Sequence, residues 1–369
     1  MNDSRTDFVN IIRKAIDKPY RLSDEVDWKS VWEMAKRHHL EVLVYIASKD
    51  MMPSDIKDEA YKTCVFMQRL AVLQDYSIQQ IESKLSDEGI PYAILKGAVI
   101  RTDYPDFSSR FMSDVDFCIR PEDRPLIRKA MEEIGGAFKG TESGDEQFII
   151  NKIVNVEFHG RLLYRYSKNS MVNYPDWAFV KEDVNRLTEE GFALNTIGHA
   201  VGDLLSGGPG IRYILDLWIL KNRHKPQPDW DFINDRLRRD GILKAANNLM
   251  DLSEYLFGEG AETPLMEEMA KYVLKGGLHG EYKRGLISES REGKLKAVFK
   301  QLFRNRTEFE NRYPWLKKRP YLLPFAWLLR LGSSLKRNRK TINDWGKNIG
   351  GVTKQEIKEQ KSTLKRFGL

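Results

Sequence analysis

Cysteine is nearly absent: Cys64 and Cys118 are the only two in 369 residues. They cannot build the bridge framework on which a secreted fold relies, so both are expected as buried thiols in a reducing cytoplasm. Long apolar runs are missing too. The longest, Tyr321 to Leu331 (YLLPFAWLLRL), is interrupted by Pro324 and Arg330, whereas a spanning helix needs roughly 20 mostly apolar residues. The opening residues, MNDSRTDFVNIIRKAID, lack a basic stretch followed by an apolar run and a small-residue cleavage site. No secretory leader is therefore expected. Internal repeats and long low-complexity tracts are also absent.

What is present is an ordinary globular mixture, 41% hydrophobic and 31% charged, long enough for two or three packing units. The net charge of +7 is unevenly placed. Residues 311–369 carry 15 Lys or Arg against 3 Asp or Glu, and the remaining 310 residues carry 45 basic against 50 acidic side chains. The basic character belongs to the C-terminal tail, which argues against a core that binds nucleic acid.

Residues 1–85 read as an N-terminal helical region, because DFVNIIRKAI and WKSVWEMAKRHHLEVLVYIAS place apolar side chains three and four apart. Pro53-Ser54-Asp55 starts a longer helix that Gly89 ends. The pattern changes over 86–165. IPYAIL is a short strand-forming run, SDVDFCI (113–119) alternates strictly, and PEDRPLIRKAMEEIG restores a helix with Pro at its start. QFIIN and KIVNVEFHG then read as two short strands. This order predicts an α+β fold, a small mixed sheet flanked by helices. Residues 166–260 return to helix as a domain over the sheet, with Gly207-Gly208-Pro209-Gly210 as a tight connector. Residues 261–369 form a helical extension ending in the basic aromatic tail.

The chemistry-bearing feature is the acidic strand. Alternation puts Val115, Phe117 and Ile119 on one face and Asp114, Asp116 and Cys118 on the other. Carboxylates about 7 Å apart along a strand repel each other unless positive charge lies between them. A divalent cation such as Mg²⁺ resolves that conflict. In IVNVEFH the same alternation gives Val154, Val156 and Phe158 one face and Asn155, Glu157 and His159 the other. If the two strands are neighbours, Glu157 becomes a third carboxylate, suited to metal-assisted phosphoryl chemistry or to general-base work.

With those residues in view, AILKGAVI, RFMSDVDFCI and NVEFHG together resemble the polymerase-β-type nucleotidyltransferase superfamily. They are most similar to its uncharacterised bacterial branch, with an L-K-G turn, an R-x-x-x-D-x-D strand and a later D/E-x-H strand. HAVGDLLSGGPGIRYILDLWILKNRHKPQPDWDFI resembles the helical region that follows the core there. The likeness covers about residues 85–260, with a looser match in NRYPWLKKRPYLLPFAWLLRL. It implies Mg²⁺- or Mn²⁺-dependent transfer of a nucleoside monophosphate from an NTP to an acceptor hydroxyl. Asp114 and Asp116 match the metal-binding pair and Glu157 the third acidic position. Gly97 matches the glycine of a Gly-Ser turn, with Ala98 where the superfamily has a small hydroxyl residue. The interval from Gly97 to Asp114 is also longer than usual there.

Each neighbouring residue has a plainer reading beside the functional one. Lys96 pairs with phosphate oxygens or is a solvated turn lysine. Arg110 clamps a phosphate or neutralises the acidic strand. His159 is a metal ligand or a hydrogen-bonded orienter, and His199, on an apolar helix, reads as a core histidine. Arg212 and Asp216 form an i,i+4 pair, or cover the nucleotide as the resemblance implies. Trp315, Tyr321, Phe325 and Trp327 with Lys317, Lys318 and Arg319 form either a platform for an anionic surface or an amphipathic helix docked on the body. Two other functions compete: a nucleotide- or partner-binding module on the same fold, and a nucleotide-sugar glycosyltransferase. The latter needs a parallel βαβ half before its D-x-D, and the first 85 residues are mainly helical.

Overall fold

The structure, a computed structural model, describes residues 3–142, 145–160, 163–165, 171–173, 177–277, 280–289, 316, 319–329 and 351–369. Four helices open the chain: α1 (Asp3–Ala15), α2 (Trp28–His38), α3 (Glu41–Ser48) and α4 (Ser54–Asp87). The apolar periodicity of WKSVWEMAKRHHLEVLVYIAS runs on as if through one helix, but the backbone breaks at His39, with φ 54°. That left-handed residue ends α2, and its ring stacks on Phe111 at 5.0 Å, so a tertiary contact holds the break.

The sheet follows the expected α+β pattern. Strands β1 (Tyr92–Ile94), β2 (Val115–Ile119), β3 (Ala137–Glu142), β4 (Asp145–Ile150) and β5 (Val154–His159) lie in the order β1-β2-β5-β4-β3. Only β2 and β5 pair in parallel, because α6 (Arg124–Glu133) and the β3–β4 excursion carry the chain back. Strand β3 has no legible alternation, as its AFKGTE sequence holds three polar residues and Gly140 at φ 143°. Asp114 precedes β2 rather than lying in it, since the strand begins at Val115.

Each face of the sheet meets a different apolar body. Val115, Phe117, Val156 and Phe158 pack with Ile78, Ile81 and Leu85 of α4 and Ile127 and Met131 of α6. Phe117 and Phe158 stack at 5.2 Å, and Phe148 meets Phe158 edge-on at 5.7 Å. The opposite face, expected to be polar, is buried as well. Ala93, Leu95 and Cys118 join a larger core that unites α1–α4 with α7 (Glu189–Ser206), α8 (Ile211–Asn222), α9 (Trp230–Arg239), α10 (Leu243–Phe257) and α11 (Pro264–Lys275). Helix α12 (Tyr282–Glu289) packs against α13 (Lys354–Arg366), whose Leu364 belongs to the larger core. Cys64 and Cys118 are buried free thiols, and burial pushes each up to about 12.

No helix among the described residues is long and apolar enough to cross a membrane. In the tail, Trp315, Lys317 and Lys318 lie outside the described residues; Tyr321 and Phe325 are exposed, and Trp327 packs with Leu316 and Ala326.

One buried group ties the N-terminal helices to α8. His38 is fully buried, and its Nδ1 accepts a hydrogen bond from Ile211 N–H at 3.3 Å, at the start of α8. Burial holds its pKa down to about 4 from an ordinary 6.5. The imidazole is thus neutral in the fold but protonates in the unfolded chain below pH 6.5. Its stabilising contribution is complete above that value and is lost as pH falls towards about 4. Urea unfolding should show a loss of up to about 3 kcal/mol from this group across that window. His38→Gln should flatten that part of the profile; an unchanged slope would contradict the assignment.

Candidate active site

The parallel pairing of β2 and β5 sets Asp116 opposite Glu157 and Cys118 opposite His159. One ligand atom from each of Asp116, Glu157 and His159 lies within 4.8 Å of the other two. Asp114, one residue before the strand, is half-buried and accepts from Ser113 Oγ at 3.0 Å. It stands near enough to Glu157 to disfavour that carboxylate's charge.

Asp116 is only 5% exposed. Its Oδ1 is 3.1 Å from Lys96 Nζ and 2.6 Å from His159 Nε2. Burial opposes ionisation, but these two cationic groups outweigh it and hold the carboxyl well below the usual range. His159 is the converse case. Burial disfavours the imidazolium, yet Asp116 and Asp145, the latter 3.2 Å from Nδ1, hold its pKa up to about 9. Glu157 is raised by burial first and by Asp114 next, and Gln147 donates to its Oε1 at 2.8 Å.

Lys96 reaches Asp116 because β1 lies antiparallel to β2 and Leu95 N–H continues the ladder to Asp116 O at 3.0 Å. The chain then turns sharply: Lys96 has φ 47° and ψ −121°, a conformation glycine adopts far more readily. Gly97 follows where a Cβ would lie 2.6 Å from Arg110 Nη1 and 2.9 Å from Met112 Cγ. The Lys-Gly turn is therefore packed against the arginine, leaving no room for a side chain at position 97.

Arg110 does not neutralise the acidic strand. Its partner is Asp216, with Nη2–Oδ2 at 2.7 Å and Nε–Oδ1 at 3.3 Å, both side chains buried. Tyr104 donates to the same carboxylate at 2.7 Å. The expected Arg212–Asp216 pair does not form among the described salt bridges, because the fork of Arg110 satisfies both oxygens of Asp216 at once. Arg212 instead donates from Nη1 to Phe111 O at 2.7 Å. It is 3% exposed, its Nε is shielded without a hydrogen bond, and no carboxylate lies within ion-pair distance among the described residues. Burial, then the neighbouring Arg110 charge, lowers its pKa.

These groups surround a cleft of about 150 Å³ between the sheet and α7–α8. Lys96, Gly97, Arg110, Asp114 and Asp116 form one wall; Thr196, His199, Asp203, Arg212, Tyr213 and Asp216 form the other. His199, expected in the core, lines this cleft beside Tyr213. A second hollow holds Asp114, Lys139, Gln147, Asn155 and Glu157, so Asp114 stands where the two meet. Of the candidate site residues, Glu157 and His159 lie outside the first cleft's lining, whereas Lys96, Gly97, Arg110, Asp114, Asp116, Arg212 and Asp216 border it. Sequence reasoning missed Asp145 and Asp203. The spacing of Thr196, His199 and Asp203, one helical face, carried a signal for the latter.

Removing one partner of the Arg110–Asp216 pair leaves an uncompensated buried charge. Asp216→Ala should cost about 3–5 kcal/mol in urea unfolding, and Arg110→Met combined with Asp216→Leu should recover much of it. A loss below about 1 kcal/mol would show that the pair behaves as a solvated one.

The model of a family described as uncharacterised nucleotidyltransferase matches residues 24–258. That span includes both walls of the cleft and Asp114, Asp116 and Glu157. No curated protein and no solved structure matches the chain. With well over half of its length matched, the chain belongs to this nucleotidyltransferase family.

Proposed function

We propose that the protein transfers a nucleoside monophosphate from an NTP to a hydroxyl of a small molecule, peptide or protein, in a polymerase-β-like manner. The observation that carries this reading is the parallel register that puts Asp116 beside Glu157, with Asp114 at the mouth. The donor set fits a hard divalent cation, Mg²⁺ or Mn²⁺: carboxylate oxygens gathered with one imidazole within 4.8 Å. Asp114, Asp116 and Glu157 would hold it, with His159 as an orienting neighbour. When bound, the ion supplies positive charge to the attacking oxygen and the leaving diphosphate.

The chain's own cations do the rest. Arg212 is a buried guanidinium lacking a carboxylate partner among the described residues, and an anionic ligand in the cleft would complete it. Lys96 faces the same space and can exchange part of its contact with Asp116 for a phosphate oxygen. Gly97, locked under Arg110, gives the phosphates a backbone approach without the hydroxyl that Ala98 lacks. The hollow beyond Asp114, with Lys139, Gln147 and Asn155, is the candidate seat of the acceptor. This reading places the protein in the cytoplasm, where NTP is available.

A second reading, nucleotide binding without turnover, draws on one observation: Asp116 is already neutralised by Lys96 and His159. One experiment separates the two. Protein is incubated with each α-labelled NTP, Mg²⁺ or Mn²⁺ and an acceptor panel, and NMP addition is read by mass spectrometry. Metal-dependent addition should fall at least about 100-fold in Asp114→Ala and in Asp116→Ala. Arg212→Met should raise the KM for NTP more than it lowers kcat. Incorporation unchanged in both aspartate variants would sink the proposal, and tight NTP binding with no transfer would favour the second reading.

A further inference from the structure

The wall of the cleft opposite the acidic strand carries a carboxylate that the fold does not use. Asp203 sits in the last turn of α7, where the helix dipole disfavours negative charge. Its Oδ2 is shielded from solvent and accepts no hydrogen bond among the described residues; the nearest cation-capable atom is His199 Nε2, 3.5 Å away. The other carboxylates bordering the cleft are engaged: Asp116 by Lys96 and His159, Asp216 by Arg110 and Tyr104, Asp114 by Ser113. Thr196, His199 and Asp203 all line the cleft, so one face of α7 is turned towards the reaction space.

We infer that Asp203 is the general base that takes the proton from the acceptor hydroxyl, an assignment that rests on the nucleotidyl-transfer reading above. The acceptor O–H bond breaks as the proton passes to the Asp203 carboxylate, whose side chain is 23% exposed although Oδ2 itself is covered, and the freed oxygen pair forms a bond to the α-phosphorus of the NTP. The bond from that phosphorus to the bridging oxygen breaks, diphosphate leaves with its electron pair, and the proton passes from Asp203 to water. The ligand is thus a hydroxyl compound whose body lies in the hollow beyond Asp114 and whose reacting oxygen reaches past Asp114 into the cleft that Asp203 lines. Glu157 is less suited to this role, being held by Gln147 within the acidic cluster.

The electrostatics agree. Burial raises the Asp203 carboxyl to about 7, with Lys96 and Arg212 pulling the other way. The groups facing it are Lys96 from the β1–α5 turn (α5 being Gly97–Ile100), Arg212 and Tyr213 from α8, and His199 from its own helix. Arg284, from α12 at that end of α7, is paired with Glu281. Burial first, then Lys96, brings the His199 imidazole down to about 3, so it stays neutral and orients rather than accepts the proton. A base with a pKa near the working pH is the efficient one.

The test compares wild type, Asp203→Asn and Asp203→Glu in three measurements: NMP transfer between about pH 5 and pH 9, affinity for a non-hydrolysable NTP analogue, and melting temperature. Asp203→Asn should lower transfer by about 10²–10⁴-fold and abolish the acid limb of kcat/KM. Its affinity for the analogue and its melting temperature should not fall. Asp203→Glu, which keeps a carboxylate, should restore part of the rate. Transfer by Asp203→Asn at the wild-type rate with the acid limb intact would overturn the inference alone. So would a lowered melting temperature with weakened analogue binding, the signature of a structural residue. A wild type that binds the analogue yet transfers nothing would overturn the transfer reading, and this inference with it.

Discussion

A carboxylate can be buried as an anion only if positive charge comes with it, and Asp116 is the group on which this protein imposes that requirement. The strand that carries it lies second in the sheet, covered on both faces. His159 meets the requirement from the parallel strand beside it, and Lys96 from the turn that follows the antiparallel one. Asp145 in turn holds the far nitrogen of His159. The acidic centre is therefore a charge-balanced unit fixed by strand register rather than by loops. A register slip of one residue would turn Asp116 into the phenylalanine-lined core and end both the charge balance and the packing.

Around that unit the two apolar bodies divide the work. The smaller one, on α4 and α6, makes the sheet rigid through its stacked phenylalanines. The larger one brings α7 and α8 over the other face and leaves a cleft between. Two devices fix the distance across it. The Arg110–Asp216 fork ties the loop before β2 to α8, and His38 holds the first N–H of α8 from below. Arg212, next to that N–H, is placed by the same anchor. Arg212, with no carboxylate within ion-pair distance among the described residues, and the unbonded oxygen of Asp203 lie on the same wall of the cleft without forming an ion pair. Both are costs to the folded state, and an anionic ligand together with a hydroxyl donor would answer them.

Much of this was legible in the sequence because strand periodicity is a local property. Alternation alone separated Asp116 from Phe117 and Glu157 from Phe158, and the turn at Gly97 was visible as a break between a strand and a helix. The alternating run 113–119 extends two residues before the strand's start at Val115, since an aspartate just before a strand keeps the alternation. Partnerships across long separations were not legible. Arg110 and Asp216 lie 106 residues apart, and helical spacing offered Arg212 as the nearer partner. Asp203 and His199 lie on a mostly apolar helix, and the only mark of the face that opens on the cleft is the spacing of Thr196, His199 and Asp203. Strand β3 was missed because its glycine and charged residues erase the period-two signal.

The central claim, that the acidic centre holds a divalent cation together with NTP, is tested most directly by titrating Mn²⁺ into the protein with a non-hydrolysable NTP analogue and following free ion by electron paramagnetic resonance. Wild type should take up Mn²⁺ in a nucleotide-dependent manner, and Asp116→Asn should bind it at least about 10-fold more weakly. Equal uptake of Mn²⁺ and nucleotide by the two proteins would contradict the assignment of the site.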